Sequence, residues 1–315
     1  MKAIALDLGG TRIKIGLIEN GILLDGVVLE ALSEQGFKRQ IPALEKEIDQ
    51  LIESHNLSMT ALNGIGICLP GITDSNEMKL ISINEKFNDA VGFDFKKWIK
   101  EKWGLPLIIE NDARSALVGE WKYGAGKGFE NLILVTLGTG FGGAAVIEGK
   151  VLRGKHFQAG CLAGHSTINY KGKVCNCGNI GCVESEASTW RLPEIARNSP
   201  IFHQSKLSLV ESIDYNQVFS LSEEGDTLAI EIVNLSLDVW SAGIINQIHA
   251  YDPELVVIGG GIMKSGSKIL SYITSMVEKH AWTPWGKVKI VQADDLDWAA
   301  LKGISFLLDE MLNTK

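Results

Sequence analysis

The chain has 315 residues, enough for two domains of ordinary size, and its 45% hydrophobic and 22% charged residues suit a globular protein with a full core. A net charge of −8 without any basic block argues against nucleic acid or an anionic membrane as partner. "MKAIALDLGG" lacks the shape of a signal peptide, and no uninterrupted apolar run approaches the roughly 20 residues that span a bilayer, so the expected location is cytoplasmic.

The first segment, "AIALDLGG", is a short apolar run closed by two glycines and reads as a buried strand. "RIKIGLIE" follows as a second strand, Asn20-Gly21 as a type I′ hairpin turn, and "ILLDGVVLE" as the return strand. Phe37, Ile41, Leu44, Ile48 and Leu51 recur at spacings of three and four, the stripe of an amphipathic helix. "GIGICLPG" and "LPLIIEND" read as further buried strands. The helix after Asp112 is expected to stop near Gly124 and Gly126.

The pattern then begins again. With Leu6 set over Val135, "IALDLGGTRIKIGLIENGIL" and "LILVTLGTGFGGAAVIEGKVL" match without a gap in strand, Gly/Thr turn, strand and hairpin turn. This implies two related domains, each opening with a strand–glycine turn–strand unit. "ELVVIGGG", a helix from about Ser265 to Lys279, a strand "KVKIV" and a terminal helix from Trp298 to Leu312 complete an α/β pattern.

Three groups of residues could carry chemistry. "DLGGTRIK" and "TLGTGFGG" place Gly and Thr directly after a buried strand, where backbone N–H groups can approach a phosphate. Either loop alone is better explained as a plain glycine hairpin; two in matching places could grip one polyphosphate from both sides. Gly259-Gly260-Gly261 suits a nucleotide's base and ribose, weakly. Asn111 and Asp112 stand at a strand end where a helix begins, as an N-cap or as a carboxylate at the sheet edge where α/β proteins bind ligands. In "GHSTINYKGKVCNCGNIGCVE", His165 precedes Cys175, Cys177 and Cys182. Three thiolates and one imidazole form a closed structural zinc set, whereas a redox pair would want the C-x-x-C spacing that "CNC" lacks. Cys68 and Cys161 read as small buried or loop residues.

These motifs together resemble the ROK family of sugar kinases and sugar-responsive repressors over nearly the whole chain. "DLGGTRIKIGL" and "LGTGFGG" resemble its phosphate loops, "VVIGGGI" its adenosine motif, "CLPGITD" and "ISIN" its sugar-pocket segments, "ENDARSAL" its catalytic segment and "GH…CNCGNIGCVE" its zinc loop. The resemblance implies an α/β fold of two actin/hexokinase-like (ribonuclease H-like) domains with an interdomain cleft. The first would cover 1–116, joined by a C-terminal helix at about 298–315; the second would cover 117–297 and carry the zinc loop. It implies an ATP-dependent kinase acting on a hydroxyl, the 6-hydroxyl, of a hexose or hexose derivative, with Asp112 as catalytic base. It implies sugar contacts from Asn84, Asn111, Asp112, His165 and Glu184. ATP contacts would come from Asp7, Gly9, Gly10, Thr11, Lys14, Gly138, Thr139, Gly140, Gly259, Gly260 and Gly261, with Mg²⁺ oriented by Asp7. Structural Zn²⁺ would sit on His165, Cys175, Cys177 and Cys182. A homodimer or tetramer is implied. Leu162 stands where the family's kinases usually carry a sugar-binding Glu, and "LKGIS" replaces a Gly-Ala-Ala pattern. The first departure opens the alternatives of an N-acylhexosamine or glycoside kinase; a non-catalytic regulator is a further one.

Overall fold

The computed structural model describes residues 1–265 and 267–314. In chain order its strands and helices are β1 (Lys2–Leu8), β2 (Arg12–Glu19), β3 (Ile22–Glu30), α1 (Ile41–Ser54), β4 (Gly64–Leu69), β5 (Ile72–Asp74), β6 (Lys79–Ser82), α2 (Phe95–Trp103), β7 (Leu107–Asn111) and α3 (Asp112–Tyr123). They continue as β8 (Leu132–Leu137), β9 (Phe141–Ile147), β10 (Lys150–Val151), α4 (Val183–Glu186), α5 (Leu192–Arg197), α6 (Tyr215–Glu223), α7 (Thr227–Tyr251), β11 (Leu255–Gly259), α8 (Ser267–His280), β12 (Lys289–Gln292) and α9 (Ala299–Asn313). The chain divides into two compact units: Met1–Phe129 with Val151–Cys161 and Asp297–Lys315, and Glu130–Lys150 with Leu162–Leu296.

In the first unit a five-stranded sheet runs β3-β2-β1-β4-β7. β1 pairs antiparallel with β2 and parallel with β4, and β4 pairs parallel with β7. Asn20 and Gly21 both have positive φ, 49° and 80°, as a type I′ turn requires. β4 and β7 are buried at every position, which is why they read as continuous apolar runs. α1 buries Leu44, Ile48, Leu51 and Ile52. α9 packs on α3 at very close range. A Cβ on Gly303 would lie 1.8 Å from the Ser115 carbonyl oxygen, and one on Gly119 would lie 2.0 Å from that of Ala299. "LKGIS" therefore supplies a glycine where α3 needs one.

The second unit repeats the plan. Its sheet runs β10-β9-β8-β11-β12, with β8 and β9 antiparallel and β8, β11 and β12 parallel. Each sheet opens with a three-stranded meander, the part that the internal match of sequences covers, and is extended by two parallel strands. Glu148 and Gly149 repeat the positive-φ hairpin turn, at 50° and 67°.

The helices α2, α5 and α6 lie outside the sequence expectations, as do two features that bear more on the fold. One is the small β5-β6 hairpin. The other is α7, 25 residues long and the one helix among those described that could cross a membrane by length and composition. Within its unit it buries Trp240, Ile244 and Ile248 among others, as a core helix does.

Candidate active site and metal centre

β1 delivers Asp7 to its C-terminal end, directly opposite Lys14 on β2. Burial raises the Asp7 carboxyl to about 6; Lys14 pulls it down and the charge of Asp112 pushes it up. Two carboxylates that repel in a desolvated place call for a cation. Gly9 and Gly10 then turn the chain. A Cβ on Gly9 would meet the Arg12 carbonyl oxygen at 2.7 Å, so the turn closes only without a side chain. The Ser33 hydroxyl donates to the Gly10 carbonyl at 2.8 Å, and Thr11 is exposed beside it. Lys14 donates to the Asp297 backbone carbonyl and lies 4.0 Å from the Asp297 carboxylate.

The two readings of Asn111-Asp112 resolve into a division of labour. Asn111 caps α3: its Oδ1 accepts the Arg114 N–H at 3.1 Å. Its Nδ2 donates to the Gly71 carbonyl and to Asp112 Oδ1, both at 3.0 Å. Asp112 Oδ1 also accepts its neighbour's N–H, from Ala113, at 2.8 Å. Asp112 is thus not spent as the cap. Burial raises its pKa, opposed first by the Ala113 N–H and then by the charge of Lys86. A carboxylate with a raised pKa is a better proton acceptor near neutrality than an ordinary one. Asn84, in the loop after β6, is exposed.

Behind this segment lies a network that spacing did not reveal. Glu110 accepts from Arg114 Nη1 at 3.3 Å, Arg153 Nε at 2.7 Å and the Asn111 N–H at 2.9 Å. Arg114 also donates to the carbonyls of Leu152, Phe157 and Ala159 at 3.1, 2.7 and 2.9 Å.

In the second unit the turn Gly138-Thr139-Gly140 closes through the Gly138 N–H to the Gly140 carbonyl at 3.1 Å. Glu184, at the start of α4, braces it: Oε1 accepts the Phe141 N–H at 3.2 Å and Oε2 the Trp190 indole at 3.4 Å. Thr189 Oγ1 donates to the Gly138 carbonyl at 2.8 Å. Gly259 ends β11, and Gly260, with φ of 91°, lies so close to β8 that a Cβ would meet the Leu137 carbonyl at 2.3 Å. Gly261 begins a 3₁₀ turn rather than a full helix.

The loop between His165 and Cys182 folds on two isolated bridges, Thr167 with Cys182 and Val174 with Ile180. It brings one atom each from His165, Cys175, Cys177 and Cys182 within 4.8 Å of one another. Cys177 and Cys182 sulfurs are 3.8 Å apart, and Cys175 Sγ is 3.7 Å from His165 Nδ1. A tetrahedron with zinc–sulfur bonds of about 2.3 Å has edges of about 3.8 Å, so the donor set fits zinc. Burial, and then the neighbouring Cys175 sulfur, push the Cys182 thiol up to about 12, so a metal would enter by displacing protons. Cys68 is buried and Cys161 half-buried, as small core or loop residues.

The ROK family profile matches residues 3–311. A glucokinase of Halalkalibacterium halodurans is 32% identical over 289 residues, 88% of this chain and 86% of its own. A ROK hexokinase from Thermus thermophilus superposes with a TM-score of 0.81 at 26% identity over the whole of both chains. A ROK glucokinase from Streptomyces griseus, solved with glucose and AMPPNP, gives 0.81 at 25% identity over 98% of this chain and 100% of its own. With the repeated sheets of the actin-like ATPase fold, these matches place the chain: it belongs to the ROK family and is a phosphotransferase of the sugar-kinase kind.

Proposed function

We propose that this chain transfers the γ-phosphate of ATP to a hydroxyl, the 6-hydroxyl, of a hexose or hexose derivative. The observation that carries the reading is the division of roles at α3, where Asn111 caps the helix and leaves Asp112 as a half-buried carboxylate whose pKa is raised. Asp112 accepts the hydroxyl proton as the oxygen attacks the γ-phosphorus. Backbone donors at Gly9, Gly10 and Thr11 and at Gly138, Thr139 and Gly140 hold the phosphates, and Gly259, Gly260 and Gly261 leave room for the adenosine. Asp7 orients the hydrated Mg²⁺, which when bound neutralises phosphate charge; the mutual repulsion of Asp7 and Asp112 fits a cation there.

Asn84, Asn111, His165 and Glu184 join Asp112 in binding the sugar. Zinc on His165, Cys175, Cys177 and Cys182 would cross-link a loop whose backbone is otherwise joined by two isolated bridges and scattered turn hydrogen bonds, and so would help to hold His165 and Glu184. The relative from Streptomyces griseus was solved with glucose, but Leu162 in this chain favours an N-acylhexosamine or a glycoside. A cytoplasmic homodimer or tetramer without nucleic-acid or membrane partners completes the proposal. A coupled ADP-release screen across hexoses, amino sugars and glycosides tests it, with Asp112→Asn as control. Turnover on a sugar that Asp112→Asn abolishes supports the reading; no turnover on any sugar overturns it.

A further inference from the structure

Lys86 is named by no motif in the sequence, yet the fold brings it to the first glycine turn. A Cβ placed on Gly10 would lie 2.6 Å from both Cε and Nζ of Lys86, so the lysine's end rests directly on that turn. The backbone around it is left-handed at two non-glycine residues, Glu85 with φ of 60° and Phe87 with φ of 46°. Such a conformation is strained for a residue with a side chain and persists only where the surroundings impose it. They do so here. Phe87 is buried edge-on against Phe37 with ring centroids 6.5 Å apart. Its N–H donates to the Ser33 carbonyl at 2.8 Å, and the Ser33 hydroxyl donates to the Gly10 carbonyl at 2.8 Å. Asp89 accepts the N–H groups of Phe37 and Lys38. Two hydrogen bonds therefore tie the lysine's segment to the same glycine on which its side chain lies.

The two lysines at this turn differ in commitment. Lys14 is engaged by Asp297. Lys86 forms no ion pair with any described residue and is half-buried. Its charge nevertheless acts on Asp112, where it opposes the rise that burial causes. A cation resting on a phosphate-binding turn, and near enough to the base for its charge to act there, would meet a phosphoryl group in transit between them.

We infer that Lys86 is a further catalytic residue, whose ammonium contacts the transferring phosphoryl group above the Gly9–Gly10 turn. The inference deepens the kinase reading and rests on it. In the step, the sugar oxygen–phosphorus bond forms while the bond from the γ-phosphorus to the bridging oxygen breaks. That electron pair leaves on ADP, and the hydroxyl proton goes to Asp112. Lys86 exchanges no proton; its N–H donors offset the charge spread over the equatorial oxygens in the transition state.

The test uses the full chain and the variants Lys86→Met, Lys86→Gln and Lys86→Arg, with melting temperature as a folding control. Lys86→Met and Lys86→Gln should lower kcat about 10²- to 10³-fold with sugar affinity within about twofold of wild type, and Lys86→Arg should recover at least about tenfold. Calorimetry with MgADP and with a non-hydrolysable ATP analogue supplies a readout independent of turnover. Loss of Lys86 should weaken the analogue about tenfold more than ADP. Neutral variants that keep more than about a third of wild-type kcat, or that weaken ADP and analogue equally, overturn the inference. If wild type phosphorylates no sugar, the kinase reading fails, and the calorimetry still decides the phosphate contact: a selective loss of the analogue supports it and an equal loss overturns it.

Discussion

Glu110 and Arg114 form an ion pair at 3.3 Å with both side chains fully buried. They sit on either side of Asn111 and Asp112, so the pair fixes the junction of β7 and α3 on which Asp112 stands. A buried pair contributes little net stability against an apolar substitute, but breaking it strands a charge. Arg114→Ala also frees the carbonyls of Leu152, Phe157 and Ala159. It should destabilise the protein by about 3–5 kcal/mol. Urea denaturation measures this, and a loss below about 1 kcal/mol would mean that Arg153 alone suffices for Glu110.

Asp112→Asn should leave the fold intact, because Asn111 rather than Asp112 caps α3. The amide keeps the shape of the carboxylate but cannot take a proton. Activity should fall at least about 10²-fold with sugar binding retained. A mutant with more than about a tenth of wild-type kcat excludes Asp112 as the base.

Asp7 should make stability depend on pH. Its folded-state pKa of about 6 lies above the ordinary 3.8, so the ionised form is the disfavoured one in the fold. The cost is absent below about pH 4, grows as pH rises to about 6 and is complete above that, amounting to about 2–3 kcal/mol. Asp7→Asn should therefore be more stable than wild type at pH 7, equal to it at pH 4, and inactive. Excess Mg²⁺ should raise the melting temperature of wild type and not of the mutant. Equal stability of the two proteins at pH 7 without Mg²⁺ would contradict this account.

The zinc set makes a prediction of stoichiometry. Freshly purified protein should hold one zinc per chain, and Cys177→Ser, which removes the most exposed of the three thiolates, should lose it. Sugar KM should then rise as His165 and Glu184 lose their support. Elemental analysis that finds no metal in wild type defeats the assignment.

These tests follow from parts of the molecule that were legible to different degrees. The hairpin at Asn20-Gly21 was readable because its backbone admits few residues, and the repeated sheet because strand, turn and strand recur at one offset. The Cys/His set was readable because metal ligands cluster in sequence. α7 was not, since a helix apolar around most of its circumference shows no stripe of period 3.6. Lys86, Ser33 and the link from Arg153 to Glu110 were not, because they join segments far apart in the chain. Only tertiary packing brings Lys86 to Gly10 or Arg153 to Glu110.

Sugar preference turns on Leu162. It is 37% exposed and its carbonyl accepts the His165 N–H at 3.0 Å, so it belongs to the same turn as a proposed sugar ligand. The family resemblance places a glutamate here that accepts hydrogen bonds from sugar hydroxyls near the anomeric carbon. Leucine accepts none, and a hydrogen bond to a charged group is worth roughly 1.5–3 kcal/mol. Losing one should lower kcat/KM for glucose about 10- to 150-fold relative to a sugar that suits the pocket. The apolar wall suits a sugar modified near the anomeric end, such as a glycoside or an acylamino sugar. A panel on wild type and Leu162→Glu measures this. Wild type should prefer such a sugar, and Leu162→Glu should gain on glucose. If wild type prefers glucose over every other sugar tried and Leu162→Glu brings no gain, position 162 does not set the preference.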